Sequence, residues 1–526
     1  MIERKRAALL VLLFCVTSAL LLAHYNTLPS LSGRSVSSAF LDTDSTRLGR
    51  MVVPLVGRHA PQCGVYPLRD ARDAFAARVQ LAETSQRSLD VQYYIWHKDL
   101  SGMLLLDALR RAADRGVRVR LLLDDNNTLG LDPTLAALDS HPNIEVRLFN
   151  PFAIRRVRAL GYLTDFSRLN RRMHNKSFTA DNQVTIVGGR NVGDEYFGAA
   201  DDVLFADLDV MVGGPVAREV SSQFDRYWAS DSAYPVGMLV PGAGPDSLRA
   251  FAAEALRVAA DPAAVTYRNA VAASSFMRDL AQGTLPLEWA SVRMLSDDPH
   301  KGLGPVPADR LLVEELKSLF GEPKKELDLV SPYFVPRSAG VDLFTGWAAH
   351  GVKVRVLTNS LEATDVAAVH AGYAKRRLAL LAAGVSLYEL RRSSETSPNR
   401  AAGSLTATSG SGSSGSSGSS LHAKTFAVDG SRAFVGSFNF DPRSAKLNTE
   451  MGLVIDSPAL AHRIEAAFEA RIPEEAYEVR LSDDRQLYWI ERRDGRIVRH
   501  DTEPGTTFWQ RAGVWLLSRL PIEWLL

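Results

Sequence analysis

The sequence has almost no cysteine and almost no net charge. Cys15 and Cys63 are the two cysteines among 526 residues, which excludes a disulfide framework and a zinc site built from cysteines. The 61 Lys and Arg residues are balanced by 60 Asp and Glu residues, so the net charge of +1 gives no general attraction for nucleic acid. Hydrophobic residues at 46% and charged residues at 23% further exclude a mainly disordered chain and a multi-span membrane protein.

Long uncharged apolar runs are also scarce, and the clear one stands near the start of the chain. Residues 7–23 read AALLVLLFCVTSALLLA, directly after Arg4, Lys5 and Arg6. A helix of this length can just cross the hydrocarbon core of a membrane, and it is also long for the apolar part of a signal peptide. No A-x-A cleavage pattern follows, which favours an uncleaved anchor over a removed signal. The preceding basic residues predict a cytoplasmic N-terminus and export of the rest.

The chain contains two related halves. In the first, SLDVQYYIW precedes a helical pattern and RGVRVRLLLDD, and in the second ELDLVSPYF precedes HGVKVRVLTNS. The helices are predicted to end at Gly116 and Gly351, because glycine stops a helix readily. Strands separated by such a helix pair in parallel through a right-handed crossover. Each half is therefore predicted to contain a strand–helix–strand unit of the α/β class.

A second pattern, His-x-Lys-x4-Asp-x6-Gly-[Gly/Ser]-x-Asn, occurs once in each half with identical spacing. The copies are MHNKSFTADNQVTIVGGRN and LHAKTFAVDGSRAFVGSFN. A lone His-x-Lys on a strand is ordinarily a surface accident, whereas two copies in a matching scaffold indicate a functional site. The paired positions are His174 and His422, Lys176 and Lys424, Asp181 and Asp429, Gly188 and Gly436, and Asn191 and Asn439.

The paired histidines and lysines indicate phosphoryl-transfer chemistry. Residues two apart on a strand point to the same face, so each His and its Lys can reach one site. A neutral imidazole is a nucleophile, and an ammonium group is a point charge suited to a phosphate oxygen. One His can attack phosphorus while the other protonates the leaving oxygen and then deprotonates the incoming alcohol or water. Since lysines and asparagine amides can stabilise the phosphate charge, we expect no metal or other cofactor.

Each imidazole also needs a carboxylate that fixes its tautomer, as in other triad-like sites. The candidates are Asp207 and Glu450, which occupy matching places in FADLDVMVGGP and LNTEMGLVIDSP, each after the His of its own half. The alternative is that both are surface residues of a strand. Asp181 and Asp429 belong to the catalytic motif, but the strand and turn between each of them and its His favour a structural role.

The duplicated motif resembles the signature of the phospholipase D superfamily. Further stretches resemble bacterial cardiolipin synthases, above all the C type, over roughly residues 62–526; they include LDVQYYIWHKDLSG, DFSRLNRRMHNKSF, GSFNFDPRSAKLNTEMG and LPIEWLL. The resemblance implies an α/β fold of two phospholipase D-like halves, each a mixed, largely parallel sheet flanked by helices. The halves are expected to pack as a pseudo-dimer with one shared active site.

The resemblance also implies a role for each site residue. His174 is the expected nucleophile and His422 the expected general acid/base. The remaining expected roles are phosphate binding by Lys176, Lys424, Asn191 and Asn439, and orientation of the imidazoles by Asp207 and Glu450.

The implied activity is transfer of a phosphatidyl group through a phosphohistidine to phosphatidylglycerol, giving cardiolipin. The donor is phosphatidylethanolamine or a second phosphatidylglycerol. One alternative is a phospholipase D that hydrolyses phospholipids to phosphatidic acid, and another is a membrane-bound lipid-binding protein with an inactive site. The expected partners are these phospholipids, cardiolipin and a membrane surface, with no nucleic acid. The expected location is the bacterial inner membrane, with the catalytic region in the periplasm.

Two segments bear on membrane contact. Residues 507–526 resemble an interfacial helix followed by a break at Pro521, although a helix docked on the core fits equally well. A basic stretch is expected to attract anionic lipid; it consists of Arg155, Arg156, Arg158, Arg168, Arg171 and Arg172.

The predicted organisation has five parts. They are an anchor or signal segment at 1–28, a first half at 62–250, a connecting segment at 251–305, a second half at 306–480 with a Ser/Gly-rich insertion at 409–420, and a C-terminal extension at 481–526.

Overall fold

The computed structural model describes residues 10, 13, 17, 26–199, 205–392, 420–493 and 495–525. The predicted anchor at 1–28 and the insertion at 409–420 lie almost wholly outside these residues. Among the helices described, none combines the length and the apolar character needed to cross a membrane.

The strands follow the predicted duplication. Those before the second half are β1 Cys63–Leu68, β2 Ser88–Ile95, β3 Arg118–Asn127, β4 Ile144–Phe149, β5 Ser177–Ala180, β6 Val184–Gly188, β7 Phe205–Ala206, β8 Asp209–Gly213, β9 Ala233–Pro235 and β10 Glu288–Ser296. The others are β11 Glu326–Val330, β12 Lys353–Asn359, β13 Ser386–Leu390, β14 Ser420–Leu421, β15 Thr425–Val428, β16 Arg432–Gly436, β17 Met451–Asp456, β18 Ala476–Leu481, β19 Leu487–Arg493 and β20 Arg496–His500.

Helices cover the faces of the sheets. In the first half and the connection they are α1 Arg47–Gly57, α2 Ala71–Thr84, α3 Leu100–Asp114, α4 Asp132–Asp139, α5 Tyr162–Leu169, α6 Asp194–Phe197, α7 Pro215–Trp228, α8 Ser247–Ala260, α9 Pro262–Ala272 and α10 Ser275–Gln282. In the second half they are α11 Leu312–Phe320, α12 Ser338–Ala349, α13 Ala367–Ala374, α14 Arg377–Ala382, α15 Pro442–Lys446, α16 Pro458–Ala466, α17 Ile472–Glu475 and α18 Phe508–Arg519.

The two half-sheets join into one sheet through β10. The first half has the order β9-β4-β3-β2-β5-β6-β8-β1, and the second has β10-β17-β16-β15-β11-β12-β13-β18-β19-β20. Strand β10 pairs with β1 through Glu288, Trp289 and Ala290, and with β17 from Ser291 onward. The segment expected to be only a connection therefore supplies the strand that links the halves.

Fewer neighbouring strands pair in parallel than expected. In each half the predicted strand–helix–strand unit is parallel, and one further strand extends it: β2-β3-β4 and β11-β12-β13. The other pairings within the joined sheet are antiparallel, so the sheets are mixed as expected but not largely parallel. The physical reason is the short loop after each motif Asp. Asp181 and Asp429 have φ of 49° and 53°, and such tight turns send the chain straight back into β6 and β16.

Two predicted features recur in both halves as expected. The helices α3 and α12 end before Gly116 and Gly351, whose φ values of 92° and 85° are those of helix-stopping glycines. Apolar side chains of both halves then form a shared core cluster between the sheets. It includes Val187, Val210 and Val212 of the first half and Leu421, Val435, Leu453 and Ile455 of the second. This shared core packs the halves against each other as the expected pseudo-dimer.

Candidate active site

The two motif segments face each other across the interface between the halves. The backbone N–H of His174 donates to Thr449 O at 2.9 Å, and the N–H of His422 donates to Ala206 O at 2.9 Å. Short β14 lies parallel to β7, with Leu421 opposite Ala206. Each catalytic His segment is therefore held by the carboxylate-bearing segment of the other half.

This pairing crosses the histidines and carboxylates between halves. His174 Nδ1 lies 2.8 Å from Glu450 Oε2, and His422 Nδ1 lies 2.5 Å from Asp207 Oδ2. Each carboxylate follows the His of its own half in sequence but contacts the His of the other half. The backbone pairing explains the exchange, because Glu450 comes directly after Thr449 and Asp207 directly after Ala206.

Glu450 is enclosed by hydroxyl donors. Ser437 Oγ donates to its Oε2 at 2.5 Å and Ser444 Oγ donates to its Oε1 at 2.7 Å. Burial raises the pKa of Glu450 to about 7, against the opposing charge of Lys176. Burial, followed by the charges of Lys176 and Lys424, lowers the pKa of His174 well below its ordinary value. His174 is therefore neutral near pH 7, as a nucleophile must be.

In the pair of His422 and Asp207 the pKa values shift in the same directions, but Asp207 accepts no hydrogen bond from a serine hydroxyl in the described part of the chain. Burial raises the pKa of Asp207, while Lys424 and Arg190 oppose that shift. The backbone N–H of Leu208 donates to Asp207 Oδ1 at 2.8 Å. Burial, and then the charge of Lys424, lowers the pKa of His422 well below its ordinary value.

Both motif lysines are buried beside the histidines, with relative exposures of 1% for Lys176 and 2% for Lys424. Lys176 Nζ donates to His174 O at 2.6 Å, and Lys424 Nζ lies 2.8 Å from His422 Nδ1. Burial lowers the pKa of Lys176 well below its ordinary value and that of Lys424 to about 8. Two lysines confined in this way create a site that favours an anion such as a phosphodiester, because its negative charge favours their protonated forms.

The two motif asparagines differ in their contacts. Asn191 Oδ1 accepts from Ile95 N at 3.2 Å, and its Nδ2 donates to Tyr196 OH at 3.1 Å. The side-chain oxygen of Asn439 is buried without a hydrogen-bond partner in the described part of the chain. Asn191 thus holds Tyr196, whereas phosphate binding by either amide stays a prediction.

The motif carboxylates Asp181 and Asp429 bind backbone rather than the reacting groups. Asp181 accepts from the N–H groups that lead into β2, at Gln86, Arg87 and Ser88, with distances of 2.7–3.1 Å. Asp429 accepts from the corresponding groups of Lys324, Lys325 and Glu326 before β11. Burial opposes the effect, but these N–H groups keep the pKa of Asp429 below its ordinary value. Their geometry is that of anchors for the central strands.

Several residues of the site were not predicted from the sequence. The rings of Tyr94 and Tyr196 stand edge-on to His174 and His422, with centroids 4.9 and 5.1 Å apart. Tyr94 lies within the repeated strand SLDVQYYIW, but nothing in the spacing of the motif ties either tyrosine to a His.

A second missed pair fixes the backbone just before each His. Asp124 Oδ2 accepts from Met173 N at 2.8 Å, and Asn359 Oδ1 accepts from Leu421 N at 2.9 Å. Asp124 and Asn359 occupy equivalent positions of β3 and β12, in RLLLDD and RVLTNS, so the internal repeat held a signal for them. They position each motif strand from its own half.

One group in the described residues has donors spaced closely enough to suggest a metal. His97, Asp99 and Glu195 bring their ligand atoms within 4.8 Å of one another. His97 Nδ1 lies 3.1 Å from Glu195 Oε1, and Asp99 accepts from the N–H groups of Gly102 and Asp194. These contacts explain why the three side chains lie close together, and they stabilise the local backbone.

The comparisons with known proteins agree with this geometry. A protein family described as "Cardiolipin synthase, PLD-like domain" matches residues 79–228 and 316–472. Cardiolipin synthase C of Escherichia coli is 50% identical over 484 residues, which cover 91% of this chain and all of that protein. The chain belongs to this cardiolipin synthase family.

More distant proteins match as well. Cardiolipin synthase A of Pseudomonas putida is 25% identical over 436 residues, covering 82% of this chain and 73% of that protein. The crystal structure of phosphatidylserine synthase from Haemophilus influenzae superposes with a TM-score of 0.55 at 14% identity, covering 90% of this chain and 99% of that one, and it supports the fold alone. The expected superfamily and the assignment as a phosphatidyltransferase are confirmed. Family membership implies phospholipid substrates and association with a membrane.

The two copies of this cardiolipin synthase motif differ at one glycine position, and the difference has a steric cause. The first copy has Gly189 where the second has Ser437, and a Cβ at Gly189 would lie 2.1 Å from Asp207 Oδ1. In the second copy the longer Glu450 leaves room for Ser437, whose hydroxyl it accepts. Gly189 therefore fits beside Asp207 in the first copy, and Ser437 fits beside the longer Glu450 in the second.

The crossed pairs predict which His each carboxylate controls. Asp207→Asn should move the ring NMR signals of His422 and leave those of His174, because only His422 contacts Asp207. Glu450→Gln should do the reverse, and each change should lower kcat on the order of 10²–10⁴-fold. Signals of ring-labelled His, assigned with single His variants, test this; a shift in the His of the same half would contradict the crossing.

Gly189→Ala should displace Asp207 from His422 and lower kcat by about 100-fold, as a misplacement near 1 Å can do. Gly346→Ala is the matched control, since a Cβ there meets nothing within 4 Å. Steady-state turnover on lipid vesicles and thermal unfolding of both variants separate a site effect from a folding defect. Equal activity of the two variants would refute the steric argument.

Proposed function

We propose that the chain is a cardiolipin synthase that transfers a phosphatidyl group through a phosphohistidine to phosphatidylglycerol. The observation that carries the proposal is the pair of histidines, each held by a buried carboxylate of the other half, beside two buried lysines. The donor is phosphatidylethanolamine or phosphatidylglycerol. The proposed organisation keeps 62–250 and 306–480 as the two catalytic halves.

In the first step His174 attacks the donor phosphorus. Its Nδ1–H is held by Glu450, which leaves the lone pair of Nε2 for the new P–N bond. The bond from phosphorus to the headgroup oxygen breaks, and His422 gives its proton to that oxygen. The negative charges of Asp207 and of the bound phosphodiester favour the protonated form of His422 that this step needs. Lys176 and Lys424 stabilise the negative charge on the non-bridging oxygens.

In the second step the acceptor replaces the headgroup. Neutral His422 takes the proton of a phosphatidylglycerol hydroxyl, the oxygen attacks phosphorus, and the P–N bond breaks to restore His174. Water in place of the alcohol gives phosphatidic acid, which is the hydrolase alternative. A lipid-binding protein with an inactive site would carry out neither step.

Mass spectrometry of lipid products tests the function directly. The purified protein is given phosphatidylglycerol vesicles with and without phosphatidylethanolamine labelled in its phosphatidyl group. Labelled cardiolipin supports the synthase with phosphatidylethanolamine as donor, and unlabelled cardiolipin supports phosphatidylglycerol as donor. His174→Ala and His422→Ala should each lower product formation by orders of magnitude while the protein stays folded. Phosphatidic acid alone would favour the hydrolase, and no product would contradict both enzymes.

The C-terminal segment supports a way of reaching the bilayer. On α18, Val514 packs with Leu361 and Ala371, while Trp509 and Trp515 are 79% and 58% exposed. One side of this helix therefore docks on the second half, and the large apolar rings on the other side support the proposal that it also contacts lipid. Exposed tryptophans of this kind favour the interface between lipid and water.

A second apolar patch lies on α5. Leu163 and Phe166 of α5 are 73% and 45% exposed. Arg443 connects the two segments that carry these patches, because it donates to Asn170 O at 2.9 Å just after α5 and to Leu525 O at 3.1 Å beside the C-terminal end. Its charge also acts on the pKa of His174. We therefore propose that these patches dock on a lipid surface around the entrance to the site.

The basic stretch contributes little free charge to this surface. Arg155 and Arg158 pair with Asp125 and Asp132, as do Arg168 with Asp165 and Arg172 with Asp124. Arg171 donates to the backbone oxygens of Lys301 and Lys446. The expectation that these arginines attract anionic lipid does not fit their contacts, because most of their charge is used within the protein.

We further propose that the N-terminal segment anchors the chain in the bacterial inner membrane with the catalytic region in the periplasm. The basic residues before the apolar run support that orientation. The docking patches would then hold the site against the periplasmic leaflet.

Leu163→Ser should weaken binding to phospholipid vesicles several-fold, and Trp515→Ser should weaken it further, because apolar area is removed from the docking surface. Leu256→Ser is the matched control, since Leu256 is 69% exposed on α8, a helix of the connecting segment. Vesicle flotation at low and high salt measures binding. Unchanged binding of both docking variants, or an equal loss in the control, would contradict the proposed surface.

A further inference from the structure

A carboxylate whose charge acts on the pKa of Lys424 contacts neither catalytic His. Asp365 stands in the loop between β12 and α13, and Tyr333 OH donates to its Oδ2 at 2.7 Å. Asp365 as a whole residue keeps contact with solvent, whereas its carboxyl group is largely enclosed by neighbouring protein atoms, and Tyr333 is half-buried. In the described part of the chain no Lys, Arg or His lies within ion-pair distance of Asp365.

The backbone places this pair at the edge of the sheet that carries His422. Thr358 Oγ1, at the end of β12, donates to Pro332 O at 3.2 Å, directly before Tyr333. Asn359, the last residue of β12, holds Leu421, directly before His422. The carboxyl ends of parallel strands meet at the same edge of a sheet, which is where ligands bind in such folds.

Electrostatics connects Asp365 with the site. Burial raises the pKa of Asp365, while Tyr333 and Lys424 act in the opposite direction. Burial raises the pKa of Tyr333 well above its ordinary value; Asp365 adds to this, as do Tyr196 and Tyr94. Besides burial, the charge of Asp365 also raises the pKa of Tyr196, whose ring stands edge-on to His422.

The Asp365 carboxylate repels a phosphodiester and so does not help to bind it. A group that profits from a carboxylate and aromatic rings is a cation, and a primary ammonium finds both charge and hydrogen-bond acceptors in such surroundings. In the proposed mechanism the leaving headgroup receives its proton from His422. The headgroup must then lie on the His422 side of the phosphorus, which is the side of Asp365 and Lys424.

We propose that Asp365 and Tyr333 form a headgroup subsite beside His422 that binds the ammonium group of an amine-bearing phospholipid donor. This inference rests on the proposed phosphatidyl transfer and adds the choice of donor. Asp365 acts as a specificity-determining residue: it binds the part of the donor that leaves and does not touch phosphorus.

Donor competition tests the subsite. Vesicles contain phosphatidylethanolamine and phosphatidylglycerol in equal amounts, and the released ethanolamine and glycerol are counted. Asp365→Asn should lower the ratio of ethanolamine to glycerol by about tenfold, because a charge-assisted hydrogen bond is lost. Tyr333→Phe should lower it by a smaller factor. Asp342→Asn, which neutralises an exposed carboxylate on α12, should leave the ratio unchanged.

A neutral donor provides a second readout. N-acetylated phosphatidylethanolamine keeps the headgroup but lacks the positive charge, so the unaltered enzyme should prefer the unmodified donor and Asp365→Asn should lose most of that preference. An unchanged ratio in Asp365→Asn, or an equal fall for both donors, would overturn the subsite. If Asp365→Asn does not fold, the ratio in Tyr333→Phe decides in the same way. Absence of transfer from either donor in the unaltered enzyme would instead refute the proposed function.

Discussion

The two hydrogen bonds between His174 and Glu450 and between His422 and Asp207 are the interactions on which the site depends. Each joins an imidazole of one half to a carboxylate of the other, so neither half alone contains a complete pair. Backbone hydrogen bonds on the residues next to the carboxylates fix the register at which the halves meet. Two copies of the motif therefore make a single site, because each copy lacks the partner that the other supplies.

Burial then sets the electrostatics of that site. It lowers the pKa values of the histidines and lysines and raises those of the carboxyl groups, so each group is pushed toward its neutral form. The charge of Lys176 lowers the pKa of Glu450, and the charge of Glu450 raises the pKa of Lys176, so each opposes the effect of burial on the other. A bound phosphodiester would add a negative charge beside Lys176 and Lys424, which favours their protonated forms. The site is thus suited to an anion, although burial disfavours a full set of charges among its own side chains.

The halves share a backbone plan but differ in the side chains that carry chemistry. Glu450 accepts from two serine hydroxyls, whereas Asp207 has a backbone N–H and the close approach of Gly189. These differences make the two imidazoles chemically unequal, which suits a nucleophile on one side and an acid/base on the other. Asp365 and Tyr333 add a further difference on the second side.

The sequence by itself determined the duplication, the α/β units and the chemical identity of the site. The spacing of His174, Lys176, His422 and Lys424 is local, and alternation along a strand places each His and Lys together whatever surrounds them. It also identified Asp207 and Glu450 from their matching positions. The partner of each carboxylate, the packing of Tyr94 and Tyr196, and the need for glycine at position 189 came only with the tertiary structure. Those features depend on how two distant segments meet, and residue spacing along one chain carries no information on which half supplies the neighbour.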